Sequence, residues 1–95
     1  MSYPLQILAS AEIEISEAFN FYEGKVIGLG RRFLDSVDRS FSIISKSPEI
    51  YARKNKAFRA CPLKNFPFLI FYAIEKECIV IYSIFNTSQD PVNWP

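Results

Sequence analysis

The sequence predicts an α+β domain: an N-terminal β-strand and an α-helical hairpin packed on an antiparallel three- to four-stranded sheet. Three observations predict it. Apolar residues recur at helical spacing between residues 11 and 46, and strand-like apolar runs replace that period after Pro48. The links between the runs are short and polar, which keeps successive strands adjacent and antiparallel. At 95 residues the chain is one domain, residues 1–95, with no room for a second core.

Tyr3 to Leu8 is expected as the first strand, with Pro4 at its start or on an edge. Ser10 reads as the N-cap of a first helix over Ala11 to Glu23, with Glu12 and Glu14 near the positive end of its dipole. Ala11, Ile15, Ala18, Phe19 and Tyr22 mark the inner face, and Gly24 reads as the stop. Gly28-Leu29-Gly30 forms the connection to a second helix running from Leu29 or Gly30 to Ser45 or Lys46. Leu29, Phe33, Val37, Phe41 and Ile44 are its buried stripe. Lys46 suits the negative end of the dipole, and Pro48 disfavours helical backbone at Ser47. A short link makes these helices an antiparallel hairpin.

Three strands follow, Phe58 to Leu63, Phe66 to Ile74 and Cys78 to Phe85. Lys64-Asn65 and Glu75-Lys76-Glu77 join them as a meander. The last two strands are apolar at nearly every position, so both faces of the sheet need cover. Strict alternation sets Phe68, Ile70, Tyr72 and Ile74 against Leu69, Phe71 and Ala73, and Val80, Tyr82 and Ile84 against Ile79, Ile81 and Phe85. Two helices cover one face only. The tail with Trp94, a second copy forming a homodimer, or another protein must cover the other.

Composition excludes whole classes of chemistry. Eleven Lys plus Arg against ten Asp plus Glu give a net charge of +1, which argues against strong binding of free nucleic acid. There is no histidine, so Ser-His and Cys-His nucleophilic mechanisms lack their base. With two cysteines, Cys61 and Cys78, no zinc site of the common types can be assembled, and neither metal nor cofactor is expected. Both cysteines lie in strand-like apolar surroundings and read as buried free thiols. The longest apolar run, Phe66 to Ile74, is far short of the ~20 residues of a membrane span, and no basic patch leads into an apolar stretch at the amino terminus. A cytoplasmic location without membrane contact is therefore expected. Charge is unevenly spread: residues 1–24 carry four glutamates and no base, whereas residues 25–64 carry ten bases and three acids.

Taken in order, Ala11-Glu12-Ile13-Glu14 with Ala18 and Tyr22, Gly28-Leu29-Gly30, Phe33-Leu34, Ser47-Pro48, Tyr51, Arg59, Phe66 to Tyr72, and Asp90-Pro91 with Trp94 resemble the RelE/ParE superfamily of toxins. The likeness covers nearly the whole chain and implies the same strand-helix-helix-three-strand order. It further implies growth inhibition, plasmid stabilization, and a small cognate antitoxin that neutralises the toxin by wrapping an apolar and basic surface. The uneven charge suits an acidic, partly disordered partner that orders on binding. RelE-like members resemble ribosome-dependent messenger-RNA endoribonucleases, whereas ParE-like members act on DNA gyrase. The long first helix, the Gly-Leu-Gly link and Phe66-Pro67-Phe68 look ParE-like.

The chain departs from that pattern at the end of the last strand. Many relatives carry a histidine and then a basic residue before Asp-Pro, where this chain has Asn86 and Gln89. Neither amide exchanges a proton near neutral pH, which weakens the ribonuclease reading and leaves open an inactive antitoxin-binding remnant. A ribonuclease would draw on Arg59 as phosphate clamp, Arg53, Lys54 and Lys56 along the approach, and Tyr82 or Tyr72 as acid. Structural roles compete at each position. Arg53 to Lys56 also read as a solvated loop, Arg59 as an ion pair with a helix-one glutamate or Asp35, and both tyrosines as core. Arg31 and Arg32 flank the helical hairpin and, with Arg53, Arg59, Asn86 and Gln89, are candidates for contact with a target or antitoxin. Tyr51 is expected to cap the sheet edge and Trp94 to anchor the tail.

Overall fold

In the computed structural model, which describes residues 2–95, the elements follow one another as β1 (Leu5–Ile7), α1 (Ala9–Lys25), α2 (Leu29–Lys46), β2 (Arg59–Pro62), β3 (Phe68–Glu75) and β4 (Cys78–Asn86). A single 3-10 turn, Pro91–Asn93, lies in the tail. The order is the expected one, and the boundaries move where the backbone finds other partners. Leu8 N–H donates to the Ile81 carbonyl while the Leu8 carbonyl accepts from Glu12 N–H, so strand runs into helix without a turn. Ser10 is therefore inside α1 and not its cap; its hydroxyl reaches the Tyr82 carbonyl at 3.3 Å. Nor does Gly24 end the helix. The reversal is made three residues beyond Lys25, where Gly28 takes the left-handed φ of 88° that a side chain disfavours.

The helical hairpin is fastened by a device the sequence analysis does not anticipate. Glu23, near the end of α1, accepts from Gly28 N–H and Gly30 N–H at 3.0 Å each, capping the entry to α2 with a carboxylate. Gly30 is fully inside this junction. A Cβ there would stand 2.8 Å from the Phe19 ring and 2.9 Å from Glu23 Oε1, closer than packed atoms approach.

The sheet order is β1-β4-β3-β2, and it is mixed. The β2-β3-β4 meander is antiparallel as expected, but β1 lies parallel to β4, pairing Leu5 with Ile79 and Ile7 with Ile81. No tight turn joins β1 to its neighbour, so local sequence carries no sign of its direction.

Strict alternation also fails at one point on β4. Phe71 pairs with Ser83 and Tyr72 with Ile81, leaving Tyr82 as the extra residue of a β-bulge. Ile84 is thereby returned to the helix-covered side with Ile79 and Ile81, rather than opposing them. Glu14 of α1 meets the irregularity, accepting from Ser83 Oγ at 3.1 Å and from Ile84 N–H at 2.9 Å.

Between helices and sheet lies the larger core. Phe33, Val37, Phe41 and Ile44 of α2 and Ala11 and Ala18 of α1 close on Phe68, Ile70, Tyr72, Ile79, Ile81 and Ile84. Phe33 is at its centre, with Tyr22, Phe66 and Phe68 rings 5.4 Å away. The other face carries a smaller cluster, Ala60, Phe71 and Phe85, covered by Phe58, Leu69 and Trp94. The Trp94 ring sits 5.3 Å from that of Phe71, which is wholly buried. Of the covers left open by the sequence, the chain's own tail is the one found.

Cys61 and Cys78 are free thiols; Cys61 is buried and Cys78, opposite Glu75 at the hairpin end, only half-buried. No described helix is long and apolar enough to cross a membrane.

Candidate functional site

Arg59 opens β2 directly opposite Tyr72 of β3, so its side chain lies on the helix-covered side of the sheet. Neither of its expected ion-pair partners meets it. Its Nη1 donates instead to the Tyr51 carbonyl at 2.7 Å and the Glu49 carbonyl at 3.4 Å, drawing the loop after α2 onto the sheet edge. Behind it the Tyr72 hydroxyl donates to the Pro48 carbonyl at 2.7 Å. Burial pushes the Tyr72 hydroxyl up to about 12, against a smaller opposing pull from Arg59. Tyr51 is likewise raised to about 12, first by its hydrogen bond to Cys61 and then by burial. Burial raises the Cys61 thiol too, which removes it as a nucleophile. Tyr51 is thus half-buried against the core beside Cys61, as well as lying at the sheet edge.

Arg53, Lys54 and Lys56 lie on the exposed segment that leads into β2. Arg53 bridges Arg59 through its backbone, and Lys54 N–H donates to the Phe58 carbonyl. Asn55 Oδ1 accepts from both Ala57 N–H and Phe58 N–H, an Asx turn that rigidifies the segment by itself. Tyr82 sits elsewhere. Its ring packs edge-on to Phe58 at 4.8 Å on the outer side of the sheet, and its hydroxyl donates to Glu75 Oε2 at 2.6 Å. That hydrogen bond raises its ionisation above the ordinary value, making it a weaker acid. Arg59 and Tyr82 therefore occupy opposite faces; of the two candidate acids only Tyr72 shares a face with the clamp, and its hydroxyl is committed to the Pro48 carbonyl.

Asn86 and Gln89 do share a place. With Glu14, Glu17, Phe21 and Tyr22 they line a cleft of about 260 Å³ between α1 and the end of β4. Asn86 Oδ1 is already occupied, accepting from Ser88 N–H and Ser88 Oγ, so its side chain shapes the turn into the tail. Asp90 caps the following 3-10 turn through Val92 N–H.

Arg31 and Arg32 diverge despite being neighbours. Arg31 pairs with Asp35 one turn on, at 3.2 Å, with both side chains exposed. Arg32 instead lines a second cleft, of about 360 Å³, with Arg39 of α2 and Lys64 of the β2–β3 turn. Arg39 and Lys64 were absent from the sequence candidates. The Arg32-Ser36-Arg39 spacing, which stacks residues on one helix face, is the signal that could have found the first of them.

Large apolar side chains exposed on α1 and the loop after it are Ile13, Phe21, Val26 and Ile27, the last 93 % exposed. Lys25 lies over the Phe21 ring at 5.0 Å.

No family model matches the sequence, and no curated protein does. Among solved structures, the fold is similar to a chain described as the chromosomal ParDE TA system from P. aeruginosa, with a TM-score of 0.76 and 14% identity. That alignment covers 90% of this chain and 96% of the other. Two helices on a four-stranded mixed sheet, matched almost end to end, give this chain the fold of that ParDE-system chain.

Proposed function

We propose that this chain is the toxin of a type II toxin–antitoxin pair, a ParE-like inhibitor of DNA gyrase held silent by a cognate antitoxin in the cytoplasm. The observation that carries this reading is the near end-to-end likeness of its fold to a chain of a ParDE system. The distribution of polar groups supports it over the ribonuclease reading. Arg59 is engaged by two carbonyls, Tyr82 is on the opposite face with its acidity weakened, and the positions of the family's histidine and base hold amides. A protein that acts by binding needs none of these groups to exchange protons.

The experiment is inducible expression with the purified protein assayed beside it. Growth arrest with topoisomerase-linked DNA damage, together with loss of supercoiling by gyrase in vitro, is the expected result. Arrest accompanied by mapped cleavages in translated messages, abolished in Arg59→Ala, would replace it with ribosome-dependent RNA cleavage. Normal growth on full induction would leave an antitoxin-binding remnant.

A further inference from the structure

The cleft between α2 and the β2–β3 turn has a composition that the gyrase reading does not use. None of the residues that the ribonuclease reading would make catalytic lines it. Arg32, Ser36 and Arg39 fall on one face of α2 at helical spacing, and the Ser36 hydroxyl donates to the Lys64 carbonyl at 3.0 Å, tying the turn to the helix. Lys64 forms the opposite wall, with Asn65 in left-handed backbone at φ 70° beside it. Asp35, the one carboxylate at the cleft, is held by Arg31 at 3.2 Å. Among the described residues, Arg32, Arg39 and Lys64 have no carboxylate at ion-pair distance. Leu29 and Phe66 supply the apolar part of the lining; both are half-buried, and the Phe66 ring is braced by those of Tyr22 at 5.0 Å and Phe33 at 5.4 Å.

These features suit a small anion that carries a flat apolar group. The two arginines stand two helical turns apart, roughly 10 Å along the axis. Lys64 lies across from the Ser36 between them, so the positive charge forms a short row rather than a point. Such a row matches a chain of phosphates, whose oxygens a guanidinium grips two at a time. A phenyl ring held in place by two others gives a fixed surface on which a base can stack. The space is about 360 Å³, within the range of roughly 300–1,000 Å³ that small-ligand clefts occupy. A long polyanion fits less well, because the chain's net charge is only +1 and no further base lines the cleft to carry the row onward. We infer that this cleft binds a nucleoside di- or triphosphate, with its phosphates on Arg32, Arg39 and Lys64 and its base against Phe66 and Leu29. The inference stands on the cleft alone, and neither the gyrase target nor an antitoxin enters it.

The test is an amide-resolved NMR titration of the full chain with adenosine triphosphate. Inorganic triphosphate, which lacks the base, and oligothymidylate, which spreads its phosphates along a strand, serve as rival probes. Adenosine triphosphate is expected to shift the amides of Arg32, Ser36, Arg39 and Lys64 to Phe66 saturably, with an affinity that falls as salt rises. Its dissociation constant should be lower than that of inorganic triphosphate by about fivefold or more, and Phe66→Leu should erase that margin while inorganic triphosphate binds as before. The double variant Arg32→Gln, Arg39→Gln should weaken the nucleotide by about tenfold or more, whereas Lys76→Gln, at the far end of β3 from Lys64, should bind it as the parent does. Arg32 and Arg39 are exposed, and the variants' own spectra report their folding directly. Shifts confined to other surfaces, equal binding of adenosine triphosphate and inorganic triphosphate, undiminished binding by the double variant, or tighter binding of oligothymidylate at the same amides would each overturn the inference.

Discussion

The two faces of the sheet are equally apolar in sequence and unequally covered in the fold. On the inner face two helices of 17 and 18 residues press Phe33, Val37 and Ile44 onto Phe68, Ile70, Tyr72 and Ile81, all buried. On the outer face Phe71 and Phe85 are also buried, but under side chains from Phe58 and a nine-residue tail in which only Trp94 is not exposed. Beyond Thr87, whose amide and hydroxyl both donate to the Pro67 carbonyl, the tail's hydrogen bonds stay local to residues 86–94. Hydrophobic cover can therefore come from a folded layer or from one aromatic side chain on a strap. The strand pattern predicts the need for cover without predicting its source.

The comparison breaks most sharply at the inner face. Phe33→Ala empties a site ringed by Tyr22, Phe66 and Phe68, and should cost about 3–5 kcal/mol in urea unfolding. Gly30→Ala forces a methyl group against Phe19 and the Glu23 cap at the helix junction, with an expected loss of about 1–3 kcal/mol by the same measurement. At the outer face, Trp94→Ala removes a half-buried ring, for about 1–2 kcal/mol, and should raise binding of a hydrophobic dye above the parent level. A loss as large as that of Phe33→Ala would show that the two faces are equally important to stability.

Alkaline unfolding sharpens the same contrast. Tyr72 and Tyr51 ionise near 12 in the fold and at 10.0 ordinarily, so the unfolded chain loses these protons first. Their contribution is present below pH 10 and is lost as pH rises from 10 through 12. Tyr72→Phe should cost about 1 kcal/mol at neutral pH, by leaving the Pro48 carbonyl unpaired, and should flatten that alkaline slope. The smallest effect is expected at Asp35→Asn. Its partner Arg31 is largely exposed, so thermal unfolding should change by less than about 0.5 kcal/mol.

Much of this was legible in the sequence because periodicity reports burial. Phe33, Val37, Phe41 and Ile44 are core as their spacing predicts, and the meander and its short turns follow from Lys64-Asn65 and Glu75-Lys76-Glu77. Features set by distant partners were not legible. The parallel direction of β1, the Tyr82 bulge and the Glu23 cap each depend on backbone groups far along the chain or on geometry between helices. The candidate site was the less readable part. Arg59 reads in sequence as a cation for an anionic partner, yet its partners are carbonyls of Glu49 and Tyr51, which no residue type announces. Arg39 and Lys64 carry no local signal because the cleft they share joins a helix to a turn 28 residues from Ser36.

Trp94 is the only tryptophan, so its fluorescence reports tail docking with no background from other indoles. Acrylamide quenching of the purified chain is the most direct measurement of whether the tail closes the outer face. A blue-shifted emission, partly shielded from quencher and moved toward that of the unfolded chain by Phe71→Ala, is the expected result. Emission and quenching equal to those of free indole in the native parent would contradict a sheet that seals itself, and would return its outer face to a partner.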